Sequence, residues 1–229
     1  LQYSFNRHNQ NSAYGNTIFL ADQMTAFGQV TKNLMLNRND VMLGIAFRYI
    51  YYDDNTVITE KKENNNTFNK PTLTSLPGLF IQDEIKVNTK NVLLAGIRYD
   101  YNSNHGNIFS PRLNWKYTIN ETNTLRWGIG NGYRVVNLFS EDHAAFNGAR
   151  DVVIKENLKP EQSWSTNFNY STLKTLTRGY FSIDANLFYT YFSNKIVADY
   201  FTDHTKVIFE NLHGYGINRG AGAQMHFNF

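Results

Sequence analysis

Residues Ser110–Tyr170, SPRLNWKYTINETNTLRWGIGNGYRVVNLFSEDHAAFNGARDVVIKENLKPEQSWSTNFNY, decide the fold class. Residues 112–119 alternate between polar and apolar side chains, and residues 124–135 do so again after a short polar turn. Side chains of a β-strand point to opposite faces with a period of two, so both segments are predicted strands with one apolar and one polar face. A long loop follows Val136, and residues 163–170 alternate once more. The stretch therefore predicts strand, short turn, strand, long loop and strand.

The same alternation recurs on both sides of this stretch. Further strands are predicted at residues 1–8, 22–35, 41–51, 79–87, 93–101, 181–191, 207–212 and 215–229, which gives about eleven in all. Long connections are predicted near residues 9–21, 53–77, 102–109, 136–161 and 193–206. Short connections are predicted near residues 36–40, 88–91, 120–123, 172–179 and 213–214. Long loops at one end and short turns at the other are typical of a transmembrane β-barrel.

The composition supports a barrel between lipid and water. Of the 229 residues, 41% are hydrophobic and 15% are aromatic, a polar average with many Tyr and Phe. A barrel that faces lipid outside and water inside has this composition, because half of each strand is polar. No apolar run reaches the length of a membrane helix. The net charge of +3 does not indicate nucleic acid, and the lack of Cys excludes disulfides and thiolate metal sites.

Three stretches resemble the barrel of TonB-dependent outer-membrane receptors of the Bacteroidetes type. They are PGLFIQDEIKVNTKNVLLAGIRYDYNSNHGNIFSPRLNWKY (77–117), TLRWGIGNGYRVVNLF (124–139) and EDHAAFNGARDVVIKENLKPEQSW (141–164). The phrases GIRYDY, SPRL, YRVVNLF and LKPEQS occur in the order that these receptors use. The resemblance covers the central part of the chain, and the flanks match only in their alternation of strands and connections.

The resemblance implies an all-β, antiparallel up-and-down transmembrane barrel in the bacterial outer membrane. Receptors of this family have 22 strands around an N-terminal plug domain. Residues 1–229 are therefore expected to be part of one barrel domain, with the plug and the remaining strands absent from this chain. For the same reason, Phe229 is expected to be a cut within a strand, although it resembles the terminal Phe of an outer-membrane barrel.

The family's activity gives the expected function, which is active uptake of a scarce, bulky nutrient. Ferric siderophores, haem, cobalamin and oligosaccharides all remain open as the ligand. The implied partners are outer-membrane lipid, the protein's own plug and remaining strands, the transported ligand, and TonB, which would bind through the missing N-terminal segment. Neither an enzyme activity, a cofactor nor a nucleic-acid partner is expected.

Two sets of side chains are candidate sites. The extracellular loop candidates for ligand binding are His105, Asp142, His143 and Arg150, and the alternative is a solvated or self-paired loop. The candidates for the barrel lumen, where they would contact the plug, are Arg98, Arg112, Arg126 and Arg134, joined on the same polar faces by Arg48. The alternative for this second set is ordinary solvation of the lumen.

The other candidate motifs are better explained by a structural role than by a metal site or catalysis. The six His residues show no HxxxH or HExxH spacing, so no metal site is predicted. Gly128, Gly130 and Gly132 alternate on a polar strand face, where they are expected to leave room for the plug or for strand curvature. No nucleophile elbow or carboxylate pair indicates catalysis.

Two other protein classes fit parts of the pattern. One is a smaller complete porin or adhesin barrel that ends at Phe229. The other is a soluble carbohydrate-binding β-sandwich, which predicts that Trp115, Trp127 and Phe168 are buried between two sheets.

Overall fold

The computed structural model describes residues 1–14, 17–55, 59–63, 66–135 and 150–228, and these ranges consist mainly of β-strands. In chain order the strands are β1 (Gln2–Tyr14), β2 (Thr17–Met35), β3 (Asn39–Asp53), β4 (Glu60–Glu63), β5 (Asn66–Asn69), β6 (Thr72–Lys86), β7 (Asn91–Asn102), β8 (Gly106–Thr118), β9 (Asn123–Arg134), β10 (Asp151–Ile154), β11 (Glu161–Leu176), β12 (Gly179–Asn194), β13 (Ile196–Asp199), β14 (Lys206–Asn211) and β15 (Gly216–Asn228). The described ranges contain no helix that is long and apolar enough to cross a membrane.

Ten of these strands form one antiparallel sheet. Its order is β1-β2-β3-β6-β7-β8-β9-β11-β12-β15, so each strand pairs with the next large strand of the chain. This is the up-and-down arrangement that the alternating pattern predicts, and it confirms the expected all-β fold of a partial barrel. The ten strands are about half of a 22-stranded barrel.

The sheet curves around its polar face. Arg112, Gly130 and Ser165 lie in one row across three strands and share a face, and the adjacent row of Leu113, Ile129 and Thr166 belongs to the other face. Side chains of β2 and β9 line one cavity although four strands separate them in the sheet, so the sheet is curved. The polar, concave face is called the inner face below, and the apolar face is called the outer face.

Aromatic side chains form two bands on the outer face. Near the short turns, the ring centroids of Trp115 and Tyr117 lie 5.7 Å apart and those of Phe181 and Phe227 lie 4.7 Å apart. Near the opposite end, Tyr191 and Tyr215 lie 5.6 Å apart. The ten residue steps from Phe181 to Tyr191 rise about 33 Å along β12, or about 25 Å along the axis of a barrel whose strands tilt by about 40°. That height matches the apolar band between the two aromatic girdles of a membrane barrel.

The outer face also contradicts the β-sandwich alternative. Trp115 and Trp127 lie directly opposite each other on this face, and Trp127 pairs with Phe168. Phe168 is 38% exposed, and both Trp residues are only partly buried. Among the described residues, no second sheet covers this face.

Several predicted connections were wrong in their bounds. Residues 9–14 and 17–21 were expected in a long loop but belong to β1 and β2, and the expected loop at 102–109 is a three-residue turn between β7 and β8. The extended strands pair in register, so hydrogen bonding to the neighbouring strand compensates for their polar sequence. The residues near 213–214 are not a short turn of the sheet, because β12 and β15 are joined by residues 195–215 at the end with the long loops.

The long connections build a second, smaller sheet. Strands β10, β14 and β13 form it, with β10 parallel and β13 antiparallel to the central β14. The predicted strand at residues 207–212 corresponds to β14 and therefore does not belong to the large sheet. Val207 and Phe209 of β14 form a buried core with Ala21 and Tyr52, which lie on the inner face of β2 and β3. We call β10, β13 and β14 the mouth sheet, because they cross the concave side at its long-loop end.

Candidate functional site

A polar, partly open cavity lies on the inner face, below the level at which Ala21 and Tyr52 contact the mouth sheet. The cavity has a volume of about 560 Å³. Its lining from the inner face includes Gln29, Arg48, Arg98, Asp100 and Ser110, and the upper end of β9 closes it with Asn131, Gly132 and Tyr133. We call it the upper cavity.

The upper end of β9 reaches this cavity because β9 separates there from its neighbour β8. The pairing of β8 with β9 ends at Arg112 and Gly130, although both strands continue. Pro111 follows directly, and proline has no N–H to donate to a neighbouring strand. Beyond this point β9 pairs only with β11, and Asn131 and Tyr133 turn towards the inner face of the other strands. The SPRL phrase of the sequence therefore marks a fork in the sheet.

Two arginines line the upper cavity. Arg98 donates from Nε and Nη2 to the two oxygens of Asp100, both at 2.6 Å, and Asp100 is buried. The guanidinium of Arg48 lies 5.5 Å from the ring centroid of Phe27, and the residue is exposed. No carboxylate pairs with Arg48 among the described residues. The pair at Arg98 is thus locally neutral, whereas Arg48 supplies a net positive charge that can meet an anionic group.

A second cavity of about 570 Å³ lies on the sheet nearer to the short turns. Its polar lining is rich in amides and includes Asn114, Asn167, Asn169 and Asn186 together with Glu84, Lys116 and Arg126. Arg126 donates to Oγ of Ser171 at 3.1 Å. Amides and hydroxyls can donate and accept hydrogen bonds, so this surface suits a polar protein partner or a hydrated ligand.

The mouth sheet is held to the large sheet by a buried carboxylate. Glu161 is 5% exposed and accepts hydrogen bonds from Nε and Nη2 of Arg134 at 2.9 and 2.6 Å. The other oxygen of Glu161 accepts from the backbone N–H of Ile196, the first residue of β13, at 3.2 Å. Charge-assisted bonds of this kind are stronger than neutral ones, so Glu161 connects β9, β11 and the mouth sheet at one point.

The structure separates the predicted site residues into groups. Arg48 and Arg98 line the upper cavity, and Arg112 lines a neighbouring cavity of about 320 Å³. Arg126 lines the cavity of about 570 Å³ nearer to the short turns. These four lie on the inner face, as their strand positions predict, and Arg134, which lies beyond the fork, forms its ion pair with Glu161. That they contact a plug stays a prediction.

Of the four predicted loop residues, His105 and Arg150 belong to the described part of the chain, and they lie on different elements. Arg150 donates to the carbonyl of Tyr200 at 3.2 Å and lies over its ring, so it anchors the mouth sheet. His105 lies in the exposed β7–β8 turn, where partial desolvation lowers the pKa of its imidazole. Asp142 and His143 lie outside the described residues.

Sequence reasoning missed the residues that close the upper cavity. Asn131 and Tyr133 occupy positions that strand alternation assigns to the outer face. The signal for their inward position was Pro111, together with the two glycines that flank Asn131. Gln29 was missed because polar and apolar residues alternate only weakly around it, which does not show the facing of its strand.

A family comparison covers nearly the whole chain. The sequence profile of the family described as "TonB dependent receptor-like, beta-barrel" matches residues 1–228. A ferric enterobactin receptor of Pseudomonas aeruginosa is 29% identical over 125 residues, which are 51% of this chain and 17% of that receptor. The siderophore receptor PirA of Acinetobacter baumannii, described as probable and TonB-dependent, is 32% identical over 60 residues, 26% of this chain and 8% of that receptor.

Solved structures share the fold at low sequence identity. The siderophore receptor PirA of Pseudomonas aeruginosa superposes with a TM-score of 0.66 at 17% identity, covering 96% of this chain and 43% of that one. The copper transporter OprC superposes with a TM-score of 0.71 at 11% identity, covering 99% of this chain and 40% of that one. The chain thus spans less than half the length of these proteins, and the shared fold occurs with different cargoes.

Proposed function

The chain belongs to the TonB-dependent receptor-like β-barrel family, and on this premise we propose that it is part of an outer-membrane receptor for active uptake of a ferric siderophore. The relatives found by sequence are a ferric enterobactin receptor and a siderophore receptor, which supports this ligand class over haem, cobalamin and oligosaccharides. Their family also supports the bacterial outer membrane as the location. The Bacteroidetes type stays a prediction.

The observation that carries the proposal is the upper cavity beneath the mouth sheet. It is polar, it is lined on the inner face, and Arg48 gives it a net positive charge. Ferric siderophores are commonly anionic and expose hydrogen-bond acceptors, so guanidinium and amide donors are suitable partners. The plug and the remaining strands would complete the site in the whole receptor, and TonB would act on the plug.

The test is uptake by the complete receptor in a Gram-negative strain that lacks its own siderophore receptors. Radiolabelled iron is supplied as ferric enterobactin, with haem, cobalamin and a maltooligosaccharide in parallel arms. We expect iron accumulation from the siderophore that requires TonB and the proton gradient. The Arg48→Gln variant should lower the apparent affinity about tenfold, the effect of losing one charge-assisted hydrogen bond to the ligand.

The matched control is Arg178→Gln, which removes a cation from the exposed β11–β12 turn at the opposite end of the sheet. Its uptake should equal that of the native receptor. Transport of haem, cobalamin or the oligosaccharide but not of the siderophore would contradict the proposed ligand class. TonB-independent diffusion of all of them would overturn the receptor proposal in favour of a porin.

A further inference from the structure

An arginine of the outer face has no carboxylate partner among the described residues. Arg219 of β15 lies directly opposite Tyr189 of β12, in the ladder that also pairs Ile217 with Tyr191 and Phe227 with Phe181. Directly opposite residues of antiparallel strands point to the same face, so Arg219 shares the outer face with these aromatic and aliphatic side chains. It is exposed, and among the described residues no carboxylate forms an ion pair with it.

The surroundings of Arg219 are those of an aromatic girdle. Tyr191 and Tyr215 stack on the same face with ring centroids 5.6 Å apart. Towards the short turns, the outer face of β15 continues with Ala221, Ala223, Met225 and Phe227, which carry no polar group. Beyond Tyr191, the next outward position of β12 is Ser193. Arg219 therefore lies where the apolar band ends.

The distance along the strand gives the same position. Eight residues separate Arg219 from Phe227, which is about 27 Å along β15 and about 21 Å along the axis of a barrel with strands tilted by about 40°. The apolar band of such barrels is about 25 Å tall. With Phe227 in the girdle at the short turns, Cα of Arg219 lies a few ångströms inside the other boundary, and its long side chain can extend outward to the headgroups.

We propose that Arg219, with the phenols of Tyr189 and Tyr191 beside it, binds the phosphate of an anionic lipid in the leaflet at the long-loop end. A guanidinium forms two parallel hydrogen bonds with a phosphate, and a phenol can donate a third. The apolar side chains below would contact the acyl chains of the same lipid. This inference rests on the proposed function, because it needs the sheet to lie in a membrane.

The test measures lipid retention by the complete receptor. The protein is reconstituted in nanodiscs of phosphatidylcholine with a minor fraction of phosphatidic acid, and the bound lipids are counted by native mass spectrometry after mild detergent extraction. We expect one phosphatidic acid to be retained by the native receptor, and Arg219→Gln to weaken this retention at least about fivefold. Arg219→Lys keeps the charge and should retain most of it. The matched control Arg126→Gln removes an exposed arginine of the inner face and should retain lipid as the native protein does.

Each outcome has a distinct meaning. Equal retention by Arg219→Gln and the native receptor, with both inserted in nanodiscs, overturns the lipid site and leaves the receptor proposal intact. Failure of the native protein to insert overturns the membrane location itself. Displacement of the retained lipid by millimolar inorganic phosphate would support the lipid phosphate as the group that the site binds.

Discussion

Glycines on the inner face are positions where side chains of neighbouring strands lie flat on the sheet. The ring of Phe80 occupies the space of a Cβ at Gly44. A Cβ at Gly128 would lie 2.5 Å from Oδ1 of Asn114 and 2.6 Å from Oδ1 of Asn167. The expected room for the plug at Gly128 is thus taken by these two amides. The sequence predicts that such glycines face inward, but which side chain covers each one depends on strand register.

A carboxylate in the mouth-sheet connection gives a prediction at the scale of one residue. Asp203 accepts from Nζ of Lys206 at 2.8 Å, and from the backbone N–H and the hydroxyl of Thr205 at 2.9 and 2.6 Å. The hydrogen bond from Lys206 is the largest cause that holds the pKa of Asp203 well below its ordinary value of 3.8. All three bonds favour the ionised carboxylate.

The sign of the pH dependence follows from this lowered pKa. The unfolded chain binds the proton first, so the contribution of Asp203 to local stability is fully present above about pH 5 and is lost as pH falls below the ordinary value near 4. Hydrogen exchange, corrected for intrinsic rates, should show protection of the Asp203–Lys206 turn that is constant from pH 7 to pH 5 and decreases below pH 4. In Asp203→Asn the protection should be lower at pH 7 and should lack this step. The control Asp184→Asn, in β12, should behave as the native protein; a step that survives in Asp203→Asn would assign it to another group.

At the scale of the strand, alternation predicted which residues form the apolar outer face and predicted less well where strands end. Alternation identified the central segments of all ten strands of the large sheet, because a buried or lipid-facing row needs a strict period of two. Strands β1, β2, β6 and β8 extend beyond their predicted segments at the long-loop end. There the alternation of the sequence is weak, so pairing is determined by the neighbouring strand, and the sequence of one strand does not show it.

The facing of β9 can be tested with a charge. Ile129 lies on the outer face opposite Leu113 and Thr166, within the apolar stretch of its strand. Ile129→Arg should lower the free energy of unfolding in a bilayer by about 2–4 kcal/mol, because the arginine would face hydrocarbon near the midplane. Thr190→Arg places the same side chain on the inner face and should cost less than about 1 kcal/mol. Reversible urea unfolding in phosphatidylcholine vesicles, followed by tryptophan fluorescence, measures both. Equal costs would mean that this face of β9 does not meet lipid.

At the scale of the whole molecule, the mouth sheet was the feature that alternation could not predict. Its β10 and β14 pair in parallel across a separation of more than fifty residues, and its core needs Ala21 and Tyr52 from the other edge of the large sheet. Short strands of four to six residues carry little periodic signal. Contacts of such sequence separation arise from the curvature of the sheet, which brings its two edges towards each other. The upper cavity was missed for the same reason, because its wall combines β2 with β9.

The mouth sheet should unfold independently of the barrel, since one small core supplies its apolar contact with the large sheet. Phe209 is 3% exposed in that core, and truncating a buried Phe costs about 3–5 kcal/mol, more than so small a unit can lose and remain folded. Phe209→Ala should therefore abolish hydrogen-exchange protection of β13 and β14 while the large sheet keeps its protection and its resistance to detergent. The control is Phe201→Ala, which truncates a side chain that is 83% exposed and should change neither. Loss of protection in β2 and β3 as well would show that the mouth sheet and the barrel wall form one cooperative unit, and that opening the upper cavity requires the wall to move.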